Sequence, residues 1–178
     1  MAMLVTHISA ATASLVWMGI EWKKFGKPSL IGIVTGTIAG LATITPASGF
    51  VGPIGGVVLG LVGGGVCYVF VSIVKQSLKF DDSLDVFAVH GVGGLIGVLL
   101  TAVFVQSSLG GAGLPEGQSA IGQFGVQCVG ALATLIWAVI ASFVILKIVQ
   151  ATIGLRVSDD EEAQGLDISV HGESGYSL

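Results

Sequence analysis

Charge is what this sequence lacks. Acidic and basic residues make up 10% of its 178 residues, where a soluble domain carries about a quarter. That shortage excludes a fully hydrated surface, because too few polar side chains remain to cover one. No charged side chain occurs between Lys27 and Lys75, between Asp85 and Glu116, or between Glu116 and Lys147. Stretches this long and this apolar place the chain in lipid. The short alternating segments of a transmembrane β-barrel are also missing, which leaves helices. There are two cysteines, Cys67 and Cys128. Both fall in apolar stretches and read as small hydrophobes rather than a disulfide or metal site. No phosphate loop, metal-ligand cluster, hydrolase elbow or nucleophile–base pair appears, so neither an enzyme nor a cofactor is expected. The seven basic residues cluster at the edges of apolar segments, which excludes nucleic acid as a partner.

What is abundant is glycine, 28 residues in all. Glycine weakens an isolated helix, but in lipid small residues let helix backbones approach closely. The expected fold is therefore all-α, a polytopic membrane helical bundle of about five spans. The apolar runs predict helices over Met3–Trp22, Leu30–Thr45, Gly52–Val74, Ser83–Val105 and Ile121–Ile153. Most match the ~20 residues that cross ~30 Å of hydrocarbon; the second is short and the last is long enough to tilt or project. Residues 1–153 form the expected membrane part and 154–178 a polar tail.

All basic residues lie at Lys23, Lys24, Lys27, Lys75, Lys79, Lys147 and Arg156. They mark the first–second and third–fourth connections and the end of the last helix. Positive residues stay cytoplasmic, so the C-terminus is expected inside and the N-terminus outside. The first helix starts almost at Met1 without a basic leader, and a piece of a longer polytopic chain is the simpler account of such a start.

The segment "DDSLDVFAVHGVGGLIG" places a titratable ring, His90, among glycines and aliphatics. It is preceded by Asp81, Asp82 and Asp85. Carboxylates at that point suit a helix N-terminus, where free N–H groups and the favourable dipole end lie. Asp85 sits deeper, where it could steady neighbouring backbone. His90 stands ~12 Å beyond Asp82, near the middle of the apolar layer. At that depth an ionisable side chain normally faces the bundle interior or a cavity. Two readings stay open: a polar group serving a pathway, or a structural histidine bonded to a neighbouring helix. Gly91, Gly93, Gly94 and Gly97 would let other helices come close. His7, near the outer end of the first helix, needs no special role. The tail, with "DDEE" at 159–162, reads as a solvated end or as a docking segment for a cytoplasmic partner.

"DDSLDVFAVHGVGGLIG" closely resembles the tenth transmembrane segment of Amt-type ammonium transporters, in the Amt/Mep/Rh group. "WMGIEWKKFGKPSLIGIVTGTIAGLATITPASGFVGPIGG" resembles the seventh and eighth segments. "GLRVSDDEEAQGLDISVHGESGY" is similar to the cytoplasmic tail, with Ser174 and Gly175 where its ending varies. The resemblance implies half of an eleven-span, inverted-repeat fold, here the seventh to eleventh spans. It implies a cell membrane of a bacterium or archaeon, a homotrimer, and passage of ammonium or ammonia through a narrow apolar pore. His90 matches the second of the family's two pore histidines, and the first has no counterpart here. Val86 and Thr45 match pore-near positions. Gly165, Asp167, His171, Gly172, Glu173 and Tyr176 match the tail motif, which implies docking of a PII-type signalling protein. The alternative is a membrane scaffold or sensor that does not transport.

The segregation of basic residues makes a direct prediction. A cysteine at Gly26 should react only with an impermeant reagent added inside, and one at Gly111 only from outside. The opposite labelling pattern would invert the topology.

Overall fold

The computed structural model describes residues 1–175; Tyr176 of the tail motif lies outside them. The helices are α1 (Ala2–Phe25), α2 (Leu30–Ile44), α3 (Pro53–Ser72), α4 (Val92–Phe104), α5 (Ala120–Thr152), α6 (Asp159–Gln164) and α7 (Leu166–Ser169). Two π-helical turns, Ile73–Ser77 and Phe87–Gly91, extend α3 and precede α4. Four helical stretches are long and apolar enough to cross a membrane: Ala2–Phe25, Pro53–Ser77, Phe87–Phe104 and Ala120–Thr152. The fifth apolar helix, α2, has 15 residues, or ~22 Å at 1.5 Å per residue, short of the ~30 Å hydrocarbon layer.

The chain divides into two compact units, Met1–Leu132 and Ala133–Leu178. The division falls inside α5, which contributes no buried residue. The division at 153/154 drawn from the sequence follows a different criterion, the change from apolar to polar composition.

Within the first unit, α1 packs against both α2 and α3. Gly32, Gly36 and Gly40 recur every four residues on α2, and Gly52, Gly56, Gly60 and Gly64 do so up to and along α3. At that spacing each set forms one face of its helix. The opposing residues of α1, Val5, Ser9, Ala13 and Trp17, share the same four-residue spacing and are buried. A Cβ at Gly60 would lie 2.6 Å from the Ser9 carbonyl oxygen, and one at Gly36 would lie 2.9 Å from that of Ala13. At Gly64 it would lie 3.0 Å from the Ala13 Cα, and at Gly40 2.9 Å from the Ala10 Cα. Backbone therefore meets backbone on both sides of α1, the close approach that small residues permit in lipid. Polar bonds reinforce it: the Ser9 hydroxyl donates to the Gly40 carbonyl at 2.9 Å, and Ser14 and Thr37 share a 2.6 Å hydroxyl bond. Such bonds in membranes average about 0.6 kcal/mol each, so packing carries most of the association.

Thr43, fully buried on α2, links the remaining helices. A Cβ at Gly63 of α3 would meet its side chain 2.8 Å away at Thr43 Cβ, and one at Gly93 would stand 3.1 Å from its hydroxyl. At Gly97 a Cβ would collide with the Thr43 carbonyl. Gly93 and Gly97 are thus the close-approach residues of α4. Gly94 has open space before it and Gly91 meets only its own Phe87, so two of the four glycines around His90 do not serve helix contacts within this chain.

The connections are held locally. Gly26 closes α1 in the left-handed region, φ 77°, a conformation that favours glycine. Ser29 caps α2, accepting from the Gly32 N–H at 2.9 Å. The two connections free of basic residues bond to each other, the Ala112 N–H donating to the Phe50 carbonyl at 2.8 Å. They therefore lie at one end of the bundle. Gly111 is crowded against the Phe104 and Val105 carbonyls, so exposed Ala112 beside it is the better position for a labelling cysteine.

The glycine contacts predict opposite outcomes for one chemical change. Gly60→Ala forces a methyl into backbone and should cost about 1–3 kcal/mol. Gly65→Ala, with nothing within 4 Å, should stabilise by up to about 0.5–1 kcal/mol through helix propensity. Thermal unfolding in a lipid nanodisc ranks the pair, and equal midpoints would contradict the packing described.

Candidate functional site

The site grows from the segment before α4. Helix was expected from Ser83, but regular geometry starts only at the π-turn Phe87–Gly91. Asp85 explains the delay: its backbone is left-handed, φ 57°, a conformation that no helix interior accommodates and that Asp tolerates better than most residues. Asp82 then stands outside the helix, and its carboxylate accepts from the N–H groups of Val86 at 2.8 Å and Phe87 at 3.0 Å. These are two of the donors that a helix start leaves without a partner. Asp85 makes an ion pair with Lys75 at 2.8 Å, its side chain 17% exposed. Asp81 accepts from the Ser83 hydroxyl at 3.1 Å. The three acids hold the loop and the turn that carry His90.

His90 projects from the π-turn and is exposed in this chain. Its ring forms no hydrogen bond with any described residue. With Gly94 and Val98, one and two α-helical turns further on, it lines a groove of about 310 Å³ completed by Ala42, Thr45 and Pro46. Thr45 sits at the end of α2, and its hydroxyl donates back to the Leu41 carbonyl at 2.6 Å. The structure thus brings His90 and Thr45 together. Val86 is exposed and is not in the groove lining.

The groove is mostly apolar, with one imidazole and one hydroxyl. Such a wall can accept or donate a single hydrogen bond to a small molecule while offering little else to a hydrated ion. Gly94, expected to admit a neighbouring helix, lines the groove instead, and Val98, Ala42 and Pro46 were not expected there. The first two were legible as positions i+4 and i+8 from His90; the others depend on how α2 crosses α4. His7 accounts for itself locally, its Nδ1 lying 2.8 Å from the Met3 carbonyl oxygen.

A second concavity of about 210 Å³ includes Trp17, Glu21, Ser29, Tyr68 and Asp85 in its lining. Its acids are engaged: Glu21 accepts from the Ser29 N–H at 2.7 Å and hydroxyl at 3.2 Å, and Asp85 holds Lys75.

In the second unit, the tail forms two short helices where the sequence reading expected none. Ser158 and Glu161 make a reciprocal capping box at the start of α6, a four-residue signal present in "SDDE" and missed. The Ser158 hydroxyl, then its N–H, hold the Glu161 carboxylate below its usual 4.5. Gly165 turns the chain from α6 to α7 at φ 90°, and Gly172 lies at φ 66°. Asp167 lies in the first turn of α7, and its carbonyl accepts from the Glu173 N–H at 2.9 Å. His171 is exposed just after α7.

The ammonium transporter family model matches residues 1–176. The chain belongs to the ammonium transporter family. An ammonium transporter of Aquifex aeolicus is 44% identical over 178 residues, covering 99% of this chain and 41% of that protein. Ammonium transporter Amt1 of Archaeoglobus fulgidus is 44% identical over 177 residues, covering 99% and 44%. The structure titled Sensor Amt Protein superposes with a TM-score of 0.84 at 30% identity, over 95% of this chain and 41% of that one. Saccharomyces cerevisiae Mep2 gives 0.73 at 37% identity, over 85% and 38%. The chain therefore spans about two fifths of the length of these family members. The all-helical membrane fold expected from the sequence is that of its Amt and Mep neighbours.

Proposed function

We propose that this chain supplies one wall of an ammonium-conducting pore, with His90 as the polar group at mid-membrane and Thr45 beside it. The observation that carries this reading is the shared groove of His90 and Thr45 in a chain of the ammonium transporter family. The imidazole would meet ammonia, or ammonium losing its proton, while the apolar lining disfavours hydrated cations. Val86 stands one turn nearer the loop, at the start of the π-turn and outside the lining of this groove. Asp81, Asp82 and Asp85 support the turn from below. The groove is open on one side, so the chain by itself is read as not competent for transport. The same openness favours the second reading, a scaffold or sensor that keeps this wall without a conduit.

The reading extends to the surroundings. Residues 1–153 sit in the cell membrane of a bacterium or archaeon, as part of a homotrimer in full-length form, and 154–178 lie in the cytoplasm. The tail would dock a PII-type signalling protein through the segment that contains Gly165, Asp167, His171, Gly172, Glu173 and Tyr176. The support is its order: a capped α6, a glycine turn and α7 form a shaped surface rather than a loose acidic run.

Liposomes holding only these 178 residues should take up no more methylammonium than empty vesicles. In a full-length family transporter carrying these residues, His90→Glu should admit potassium, because a carboxylate at that depth costs about 2.5–3.5 kcal/mol unless water follows it. We expect ammonium-over-potassium selectivity to fall about tenfold, equivalent to ~1.4 kcal/mol. Unchanged flux and selectivity in this variant would make the ring structural and remove the pore reading.

The tail has its own test. Truncation after Gly154 should leave membrane insertion intact and abolish or strongly weaken co-purification of a PII-type protein. A truncated protein that retains its regulator would reduce the tail to a solvated end.

A further inference from the structure

The π-turn that carries His90 is braced from behind by a residue of another helix. Cys67 of α3 is fully buried, in a cluster with Trp17, Ala39 and Val89. Its thiol points at the Val89 carbonyl, with Sγ 3.8 Å from the oxygen. That carbonyl lies at the change of register between π- and α-geometry, where the Val92 N–H is shared between the Phe87 and Val89 oxygens. A shared N–H serves each acceptor less well than an undivided one, and the thiol adds a weak second donor to the Val89 oxygen. Cys67 also bears on Gly93, where a Cβ would stand 3.2 Å from its sulfur. It is therefore wedged between Val89 and Gly93, one α-helical turn apart on the buried stripe of this helix. His90 is the next residue after Val89, roughly 100° further round the helix axis.

From this geometry we infer that Cys67 is a positioning residue for His90, setting the rotation of the π-turn and so how the ring stands over the groove. The inference rests on the reading of His90 as a pore-wall group. The observations behind it are independent of transport: a π-turn that carries His90, an acceptor at its junction, and a buried donor from the neighbouring helix. The sulfur has two tasks here. Its volume holds Val89 and Gly93 at their spacing, and its weak S–H donor adds a bond to the Val89 carbonyl.

The test reads the ring directly. The chain is reconstituted in lipid bilayers with ¹⁵N- and ¹³C-labelled histidine, and the His90 signals are assigned with a His90→Gln sample. Cys67→Ala and Cys67→Val, which remove the donor, should shift the His90 ring signals by more than their linewidth and increase the ring's mobility. Cys67→Ser, which keeps a donor of similar size, should leave them within the linewidth of the parent. The His7 and His171 signals should not move in any variant. Unmoved His90 signals in the Ala and Val variants would overturn the inference. So would a Ser variant as perturbed as Ala, or a common displacement of all three histidines, which would mark a general repacking. A transport-neutral His90→Glu would remove the pore reading while leaving these ring measurements as they are, so the two failures are distinguishable.

Discussion

Backbone-to-backbone approach through glycine is the constraint on which the rest of this structure depends. In lipid, helices gain little from hiding apolar side chains from one another, because the surrounding tails are equally apolar. What remains is dispersion and a few hydrogen bonds, and both need short distances. The ladders on α2 and α3 provide that proximity on two sides of α1. Thr43 then carries it to α4 through Gly63, Gly93 and Gly97. A side chain at Gly93 or Gly97 would push α4 from α2, the two helices whose ends and flanking turns line the groove of His90. Packing and site geometry are thus one problem in this molecule.

The second governing feature is how the chain enters α4. An uninterrupted α-helix from Ser83 would place Val86 under His90 and give the two a common face. The structure instead spends Asp85 on a left-handed residue paired with Lys75. It spends Asp82 on the first free N–H groups, and five residues on a π-turn. The left-handed residue and the π-turn are costly, the cap and the ion pair offset them, and together they present one imidazole over an apolar groove. π-turns inside α-helices are frequent at functional positions because they re-aim a side chain without ending the helix. The electrostatics agree with the division of labour: the charges occupy the loop, and the groove itself holds only neutral groups beside the imidazole.

The tail follows a different logic. It has little apolar surface and a run of four acids, and composition alone makes it a solvated end. The capping box converts those acids from a repulsive cluster into a helix start, where carboxylates meet free N–H groups and the favourable end of the dipole. The lowered titration of Glu161 is the trace of that bond. Above the usual carboxylate value the charge contributes to α6, and the contribution is lost as pH falls through the lowered value. At neutral pH the charge on Glu161 therefore supports the start of α6.

Much of the protein was legible from residue types alone. The charge-free stretches located the helices to within a few residues at most ends, because hydrocarbon thickness and polar loops leave few alternatives. The motif around His90 placed the chain in its family, and the glycine excess announced close packing. The ladders themselves, at a spacing of four, were in the sequence and went unread, as did the capping box at Ser158. Other features could not be read in one dimension. The ion pair of Asp85 with Lys75, just before the π-turn, joins residues of two different helical segments. That Thr45 lines the groove with His90 while Val86 does not depends on how the end of α2 lies beside α4, and the placement of Cys67 behind Val89 follows from how α3 crosses it. Composition and local pattern settle which segments are helical and which solvent they prefer, since those are properties of neighbouring residues along the chain. Which side chains share a wall is decided by helix crossing and rotation, and these exist only once residues far apart in sequence are in contact.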